Sequence, residues 1–283
     1  MLWLGPSLVL IGVVVLWPVF EMVRTSLLKI SSSGVTLGNR GFANYTDLFD
    51  EDDLIPVVLR TLGWVAGIVV VTMTLSLAIG QLLNSRFPGR RIVRWAVIVP
   101  WAASVLMTSL IWKWMLDNYS GIVNRVLLDL NVIDQPVNWL AHPRQAMLWM
   151  MWVAVFVSLP FASFVILAGL QTIPAEVYEA ARVDGAGPLR TYVGITLPLL
   201  RPAILIASII NVINVFNSFP IIWAMTGGGP GHATDTTTTF MYKLAFYDQN
   251  VGESAAMAVV NFVLILVMVL LYLRAARWRE EVR

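Results

Sequence analysis

The sequence predicts an all-α integral membrane fold with six transmembrane helices, and three observations predict it. Of the 283 residues, 58% are hydrophobic and 13% charged, about half the charged share usual in soluble domains. Six stretches carry the roughly 20 mostly apolar residues needed to cross a hydrocarbon core of about 30 Å. Basic residues gather in alternate connections between those stretches.

In order, the stretches run approximately Trp3 to Val23, Leu54 to Leu83, Ile92 to Leu116, Ala146 to Gly169, Pro202 to Trp223 and Ala255 to Leu273, within one membrane domain over 1–283. Two exceed the required length and have room to tilt or project. The first is a retained helix rather than a cleaved leader. No basic segment precedes it, and Pro18 and Glu21 stand where a small-residue cleavage site is needed. An even number of crossings puts both termini on one side. With the ends inside, the cytoplasmic set is Arg86, Arg90, Arg91, Arg94, Arg182, Arg190, Arg201, Arg274, Arg277, Arg279 and Arg283, which is 11 of the 19 basic residues. The outer side carries Asp50, Glu51, Asp52 and Asp53, read as a solvated face.

Several function classes are excluded or disfavoured. Without cysteine there is neither a disulfide framework nor a thiolate metal site. The net charge of +2 gives no electrostatic footprint for nucleic acid. His142 and His232 fall in separate outer loops without a metal-binding pattern. Lys113 and Asp117, four residues apart near the outer end of the third stretch, read as a salt bridge or as a snorkelling lysine. No GxxxxGK[ST] phosphate loop is present, so the chain itself binds no ATP by that mechanism. A secondary transporter wants an ion-coupling carboxylate within the membrane, and a membrane enzyme wants a catalytic constellation. The apolar cores hold almost no ionisable group away from their ends, and no catalytic constellation appears among the few titratable residues.

Between the fourth and fifth stretches lies an inner connection, 172–200, with the run TIPAEVYEAARVDGAGPLRTYVGITLPLL. Pro174 suits a first helical turn, Glu176 the positive end of the helix dipole, and Gly185 a left-handed stop. The pattern predicts a short helix over Pro174 to Asp184 and a second from Pro188 toward Thr196. Ala180 and Ala181 leave a thin surface for a close partner, with Glu179 and Asp184 as acceptors at its edge. An ordinary amphipathic loop helix reads the same way. The run Glu179-Ala180-Ala181, Asp184-Gly185-Ala186-Gly187, Ile195, Leu197-Pro198 and Pro202 resembles the EAA loop of ABC importer permeases. On that resemblance the fold is of the type I importer class, with a coupling helix-turn-helix that enters a cleft of an ATP-binding subunit through Glu179, Ala180, Ala181, Asp184, Gly185 and Ala186.

A second run, Thr226-Gly227-Gly228-Gly229-Pro230, Thr234, Tyr242, Ala245-Phe246, Gly252 and Ala255-Ala256, lies on the outer side. Taken alone it is a Gly/Pro turn between helices. It resembles carbohydrate-uptake permeases of the maltose and glycerol-phosphate type, in the subunit usually encoded first of a pair. The resemblance spans nearly the whole chain. It implies a prokaryotic cell-membrane permease that imports a sugar, a di- or oligosaccharide, by alternating access. Its implied partners are a second permease in a heterodimer, two ATP-binding subunits that use ATP and Mg, a sugar-binding protein and membrane lipid. A polyol, glycerol phosphate or an amino acid remains an alternative cargo.

Polar residues inside the stretches mark the candidate path. Asn211, Asn214 and Ser218 are spaced to share a helical face, and Trp101, Ser104 and Thr108 repeat that spacing. Ser158 and Phe161 flank Pro160, a potential kink in the fourth stretch. A sugar rests its C–H face on an aromatic ring and needs fixed donors and acceptors for its hydroxyls. Helix-to-helix hydrogen bonding is an equally good account of any one of these groups. In maltose-type permeases the sugar contacts align with the neighbourhoods of Trp101, Ser104, Ser158, Phe161, Asn211 and Ser218, while one family asparagine position is Val215 here.

Overall fold

The computed structural model describes residues 5–281. Trp3, where the first apolar stretch begins, and Arg283 of the basic tail lie outside the described residues. The helices are α1 (Gly5–Ser26), α2 (Ala43–Asp50), α3 (Leu54–Asn84), α4 (Arg90–Ala102), α5 (Val105–Met115), α6 (Ile122–Asp129) and α7 (Pro143–Gln171). They continue as α8 (Ala175–Val183), α9 (Pro188–Leu199), α10 (Arg201–Phe216), α11 (Phe219–Met225), α12 (Thr237–Phe246) and α13 (Val251–Glu281). Four of these are long and apolar enough to cross a membrane, namely α1, α3, α7 and Val251–Arg274 of α13. The bent pair α9 and α10, 65° apart, makes a fifth if counted as one broken span.

By internal contacts the chain divides into two compact units. The first takes the chain through Thr61 together with Gly228–Met268. In α1, the residues Gly12–Leu16 form a π-helical turn just ahead of Pro18, whose ring crowds the preceding turn and whose nitrogen has no hydrogen to give. After α1, an antiparallel hairpin pairs β1 (Leu28–Ile30) with β2 (Thr36–Asn39). Asn44 fastens this hairpin to the end of α1. Its buried amide donates to the carbonyls of Ser26 and Leu28 at 2.8 and 2.9 Å and accepts from Arg40 at 2.9 Å. Gly252 is glycine because Asn44 lies against it; a β-carbon there would sit 2.7 Å from Asn44 Oδ1. Beneath, Leu48, Leu54, Val57, Phe240, Leu244, Ala256 and Met257 form one buried cluster.

The second unit takes Leu62–Gly227 and the segment from Val269 onward. Its core joins Met73 of α3, Ala162, Ile166 and Leu170 of α7, and Leu200 and Ala207 at α10. Small residues bring these helices close, since lipid gives little hydrophobic drive between helices and packing must hold them. A β-carbon on Gly80 would meet Ile166 Cγ2 at 2.7 Å, and one on Gly169 would meet Ala203 Cβ at 2.6 Å. Trp112 packs edge-on to Phe156 at 5.9 Å and tilted to Trp149 at 6.3 Å, holding α5 on α7.

The third and fifth stretches are each interrupted. The segment expected from Ile92 to Leu116 breaks at Ala103 and Ser104, where both residues are extended, before α5 begins. The one expected from Pro202 to Trp223 ends at Phe216 and resumes at Phe219. Pro220 explains the latter, because it cannot donate to the carbonyl four residues back and suits a helix start. The Asn217 and Ser218 side chains add second hydrogen bonds to the carbonyls of Ile213 and Val215, at 2.9 and 2.7 Å, which also accept the backbone amides of the same two residues.

In the loop after α5, Lys113 and Asp117 do not pair. Lys113 Nζ donates to the carbonyl of Ala224 at 2.9 Å, while Asp117 Oδ1 accepts from the amides of Ser120 and Tyr119 and the Ser120 hydroxyl. Those hydrogen bonds, led by the Ser120 amide, hold the Asp117 carboxyl below its ordinary pKa. Buried Asn124 on α6 organises the rest of the loop, accepting from Val137 N at 3.1 Å and Trp139 Nε1 at 3.0 Å.

Close packing at Gly169 gives a paired prediction. Gly169→Ala is expected to cost about 1–3 kcal/mol through overpacking and to lower the thermal midpoint in detergent. Gly63→Ala, where a β-carbon meets nothing within 4 Å, is expected to leave that midpoint unchanged or slightly raised. Equal behaviour of the two variants in a melting assay would contradict the packing account.

Candidate functional site

Within the second unit a cavity of about 550 Å³ opens among α4, α5, α7, α10 and α11. Trp101, Ser158, Phe161, Asn211, Asn214 and Ser218 all line it, together with apolar residues and Asn217. Ser104 is not in the lining, although its neighbours Ala103 and Val105 are. The shared face expected for Trp101, Ser104 and Thr108 is lost because the helix breaks at Ser104, and Thr108 is buried elsewhere. Likewise Ser218 does not continue the helical face of Asn211 and Asn214. It sits at the interruption, and the break itself brings it to the cavity wall.

The polar groups differ in how they are held. Ser218 Oγ accepts from Trp64 Nε1 at 3.0 Å and donates to Val215 O at 2.7 Å, so a buried indole fixes it. Asn211 is 3% exposed, and neither its Nδ2 nor its Oδ1 has a hydrogen-bond partner among the described residues. An amide buried this way costs about 1–3 kcal/mol per unmet group unless something else satisfies it. Among the described residues no ionisable side chain lines the cavity.

Between α7 and α10 the chain forms a helix-turn-helix. Pro174 precedes α8, and Gly185 stops it at φ +73°. The amides of Gly185 and Ala186 donate back to Arg182 O at 3.1 Å and Ala181 O at 2.9 Å, a Schellman closure. Ala181 is buried, whereas Glu179, Ala180, Asp184 and Gly185 are exposed and Ala186 is half-buried. The sequence reading missed the two apolar side chains on this knob. Val183 is 88% exposed and Leu189 is 77% exposed, an uncovered pair flanking the glycine turn.

In the first unit the turn 228–236 is built around a buried carboxylate that sequence reasoning also missed. Asp235 is fully buried, and its Oδ2 receives His232 Nδ1 and Lys243 Nζ, each at 2.7 Å. Lys243 also donates to Gly231 O at 2.9 Å, and Arg60 Nη1 donates to the carbonyls of His232 and Asp235 at 2.7 and 2.8 Å. Gly228 is demanded twice over. Its φ is +81°, and a β-carbon would approach Asp235 Cγ to 2.5 Å and Lys243 Nζ to 2.8 Å. Thr234 then bonds Gly229 O at 2.9 Å, and Thr236 with Thr239 forms a capping box on α12.

Long apolar helices, a cavity without charge and an exposed helix-turn-helix together describe a transport component. Residues 71–280 match the family of binding-protein-dependent transport system inner membrane components. The chain belongs to this family. A probable ABC transporter permease protein of Brucella suis is 37% identical over 98% of this chain and 96% of its own length. The trehalose/maltose transport system permease protein of Thermococcus litoralis is 38% identical over 73% of this chain and 69% of its own. Among solved structures, a bacterial ABC transporter involved in the import of the acidic polysaccharide alginate superposes with a TM-score of 0.83 over 96% of this chain and 92% of that one, at 21% identity. That likeness shows the type I importer permease fold. The permease is accordingly a multi-pass inner-membrane component and not an enzyme.

The buried carboxylate yields a prediction. Asp235→Ala is expected to destabilise the turn by on the order of 3 kcal/mol, moderated by water at half-exposed His232, and Gly228→Ala to act in the same direction. Limited proteolysis between residues 226 and 237 checks this; cleavage at the wild-type rate in both variants would contradict it.

Proposed function

We propose that this permease carries an uncharged di- or oligosaccharide from an extracytoplasmic binding protein into the cytoplasm by alternating access. The observation that carries the reading is Asn211, which lines the cavity and whose buried amide nitrogen and oxygen have no hydrogen-bond partner among the described residues. A hydroxylated solute can donate to Oδ1 and accept from Nδ2 at once. Trp101 and Phe161 in the same wall suit the C–H faces of sugar rings. The absence of a cation in the lining favours a neutral solute over a phosphate or carboxylate. The relative from Thermococcus litoralis, named for trehalose and maltose transport, supports the sugar class.

In this reading the broken third and fifth stretches join the four long helices as membrane crossings, which makes six and places both termini in the cytoplasm. The arginine distribution supports that orientation. The helix-turn-helix of α8 and α9 then faces the cytoplasm and docks in an ATP-binding subunit. Exposed Val183 and Leu189 supply apolar contact, and Glu179 and Asp184 supply charged acceptors. Two such subunits bring ATP and Mg, and a second, non-identical permease completes the path. Closure of the ATPase pair pulls on the knob, and the 65° bend between α9 and α10 hands the motion to the helix that carries Asn211.

The test is transport by the complete complex in proteoliposomes, with the sugar-loaded binding protein outside and ATP inside. Asn211→Leu and Trp101→Ala are expected to lower uptake about tenfold or more, the size of one or two lost hydrogen bonds or a ring contact, with the complex still assembled. Wild-type uptake in Asn211→Leu would remove the cavity from the path. Glu179→Ala and Gly185→Asp are expected to reduce recovery of the ATP-binding subunit in a pull-down while membrane insertion stays normal. Full recovery with normal coupling would remove the knob's role.

A further inference from the structure

The start of α4 holds an arginine cluster that neither the cavity nor the knob uses. Arg86, Arg90, Arg91 and Arg94 fall within one short segment, and no Asp or Glu occurs anywhere between Asp53 and Asp117. The helix α4 packs against α7, and no acidic residue occurs between Asp134 and Glu176, a stretch that includes all of α7. None of the four arginines makes a salt bridge among the described residues. Arg90 and Arg94, one turn apart, are half-buried, and the Nε of each is buried without a hydrogen-bond partner. The basic-inside pattern accounts for charge in this connection. It does not account for two guanidinium nitrogens shut away from water with nothing to donate to.

The other side of the same helix is apolar and open. Ile92, Trp95 and Val99 are 75%, 61% and 65% exposed, at i, i+3 and i+7. With about 3.6 residues per turn, Arg90, Arg94 and Arg91 follow one another around the helix, and Arg91 adjoins Trp95. A band of guanidinium groups thus borders a stripe suited to hydrocarbon, with an indole at the junction where membrane proteins place Trp.

We propose that this surface is a binding site for an anionic phospholipid. Its phosphate is held by Arg90, Arg94 and Arg91, with Arg86 adding field strength, and one acyl chain lies along Ile92, Trp95 and Val99. A planar guanidinium presents parallel pairs of N–H donors to two phosphate oxygens, and no carboxylate among the described residues pairs with those of Arg90, Arg91 or Arg94. Charge complementarity selects an anionic lipid over a zwitterionic one, and the adjoining apolar stripe selects a lipid over a free anion.

Native mass spectrometry of the assembled transporter, delipidated in mild detergent, tests this. Phosphatidylglycerol and phosphatidylcholine of identical acyl chains are offered in turn. Wild type is expected to retain phosphatidylglycerol in clear excess, and Arg91→Gln and Arg94→Gln each to reduce that excess about fivefold, with phosphatidylcholine unchanged. Arg94→Lys keeps the charge that sets orientation but loses the fork, and an intermediate loss is expected. The Lys variant carries the test if a Gln variant inserts in the wrong direction, which a single introduced cysteine reports cleanly in a chain that has none. Equal retention of the two lipids, or a full excess in the variants, would overturn the proposal. Displacement by inorganic phosphate at matched concentration would identify a free-anion site instead. Cross-linking of position 95 to another subunit, with lipid excluded from the assembled complex, would assign the surface to protein contact.

Discussion

In hydrocarbon every backbone N–H and C=O must find its partner within the protein, and this one constraint accounts for where the chain departs from helix. Three departures adjoin the same cavity. The break at Ala103 and Ser104 leaves Ala103 in the wall, and the break at Asn217 and Ser218 leaves both residues there. Between Val157 and Phe161, Pro160 removes one donor from an otherwise continuous helix, beside Ser158. Irregular backbone at membrane depth is tolerated where it faces a polar cavity. In the six-crossing reading, the cavity and the breaks are therefore one feature: the space makes the breaks affordable, and the breaks place polar groups in the space.

The glycine-rich turn before α12 solves a related problem with a different device. A run of glycines has little intrinsic preference for one conformation, so something must hold it. Asp235, buried beneath the turn, gathers Lys243 and His232, while Arg60 and Lys243 take three peptide carbonyls that no helix or strand satisfies. Gly228 must lack a side chain because the carboxylate occupies that volume. Glycine, acid and lysine are thus mutually required, and none of the three explains the turn alone.

Much of this was legible in the sequence because its signals are local. Helix length and apolarity locate α1, α3, α7 and α13. Pro174 and Gly185 bound α8 to within a residue, since a cap and a left-handed stop are written in single residue types. Four residues expected by helical spacing, Trp101, Asn211, Asn214 and Ser218, and two expected beside Pro160, Ser158 and Phe161, line the cavity, but Ser104 does not, because periodicity assumes a continuous helix and cannot register a break at an alanine and a serine. Pro220 was a visible signal for the second break. Asp235 was not legible: an acid between threonines looks solvated until the fold brings Arg60, distant in sequence, over it. The exposure of Val183 and Leu189 was equally hidden, because an apolar residue in a short helix reads as buried.

Placement of cations follows from the same shortage of donors. Lysine and arginine offer several N–H groups and no acceptor, so they suit carbonyls stranded where a helix ends. Lys113 does this for Ala224, near the end of α11, and Arg60 does it for His232 and Asp235. Each cation thereby has its N–H groups met by peptide carbonyls of its own unit. Arg90 and Arg94 stand at the start of a helix, where the backbone presents amides rather than carbonyls and the helix dipole adds to their positive charge. Neither makes an ion pair among the described residues, and the lipid phosphate proposed above is an acceptor for their guanidinium groups.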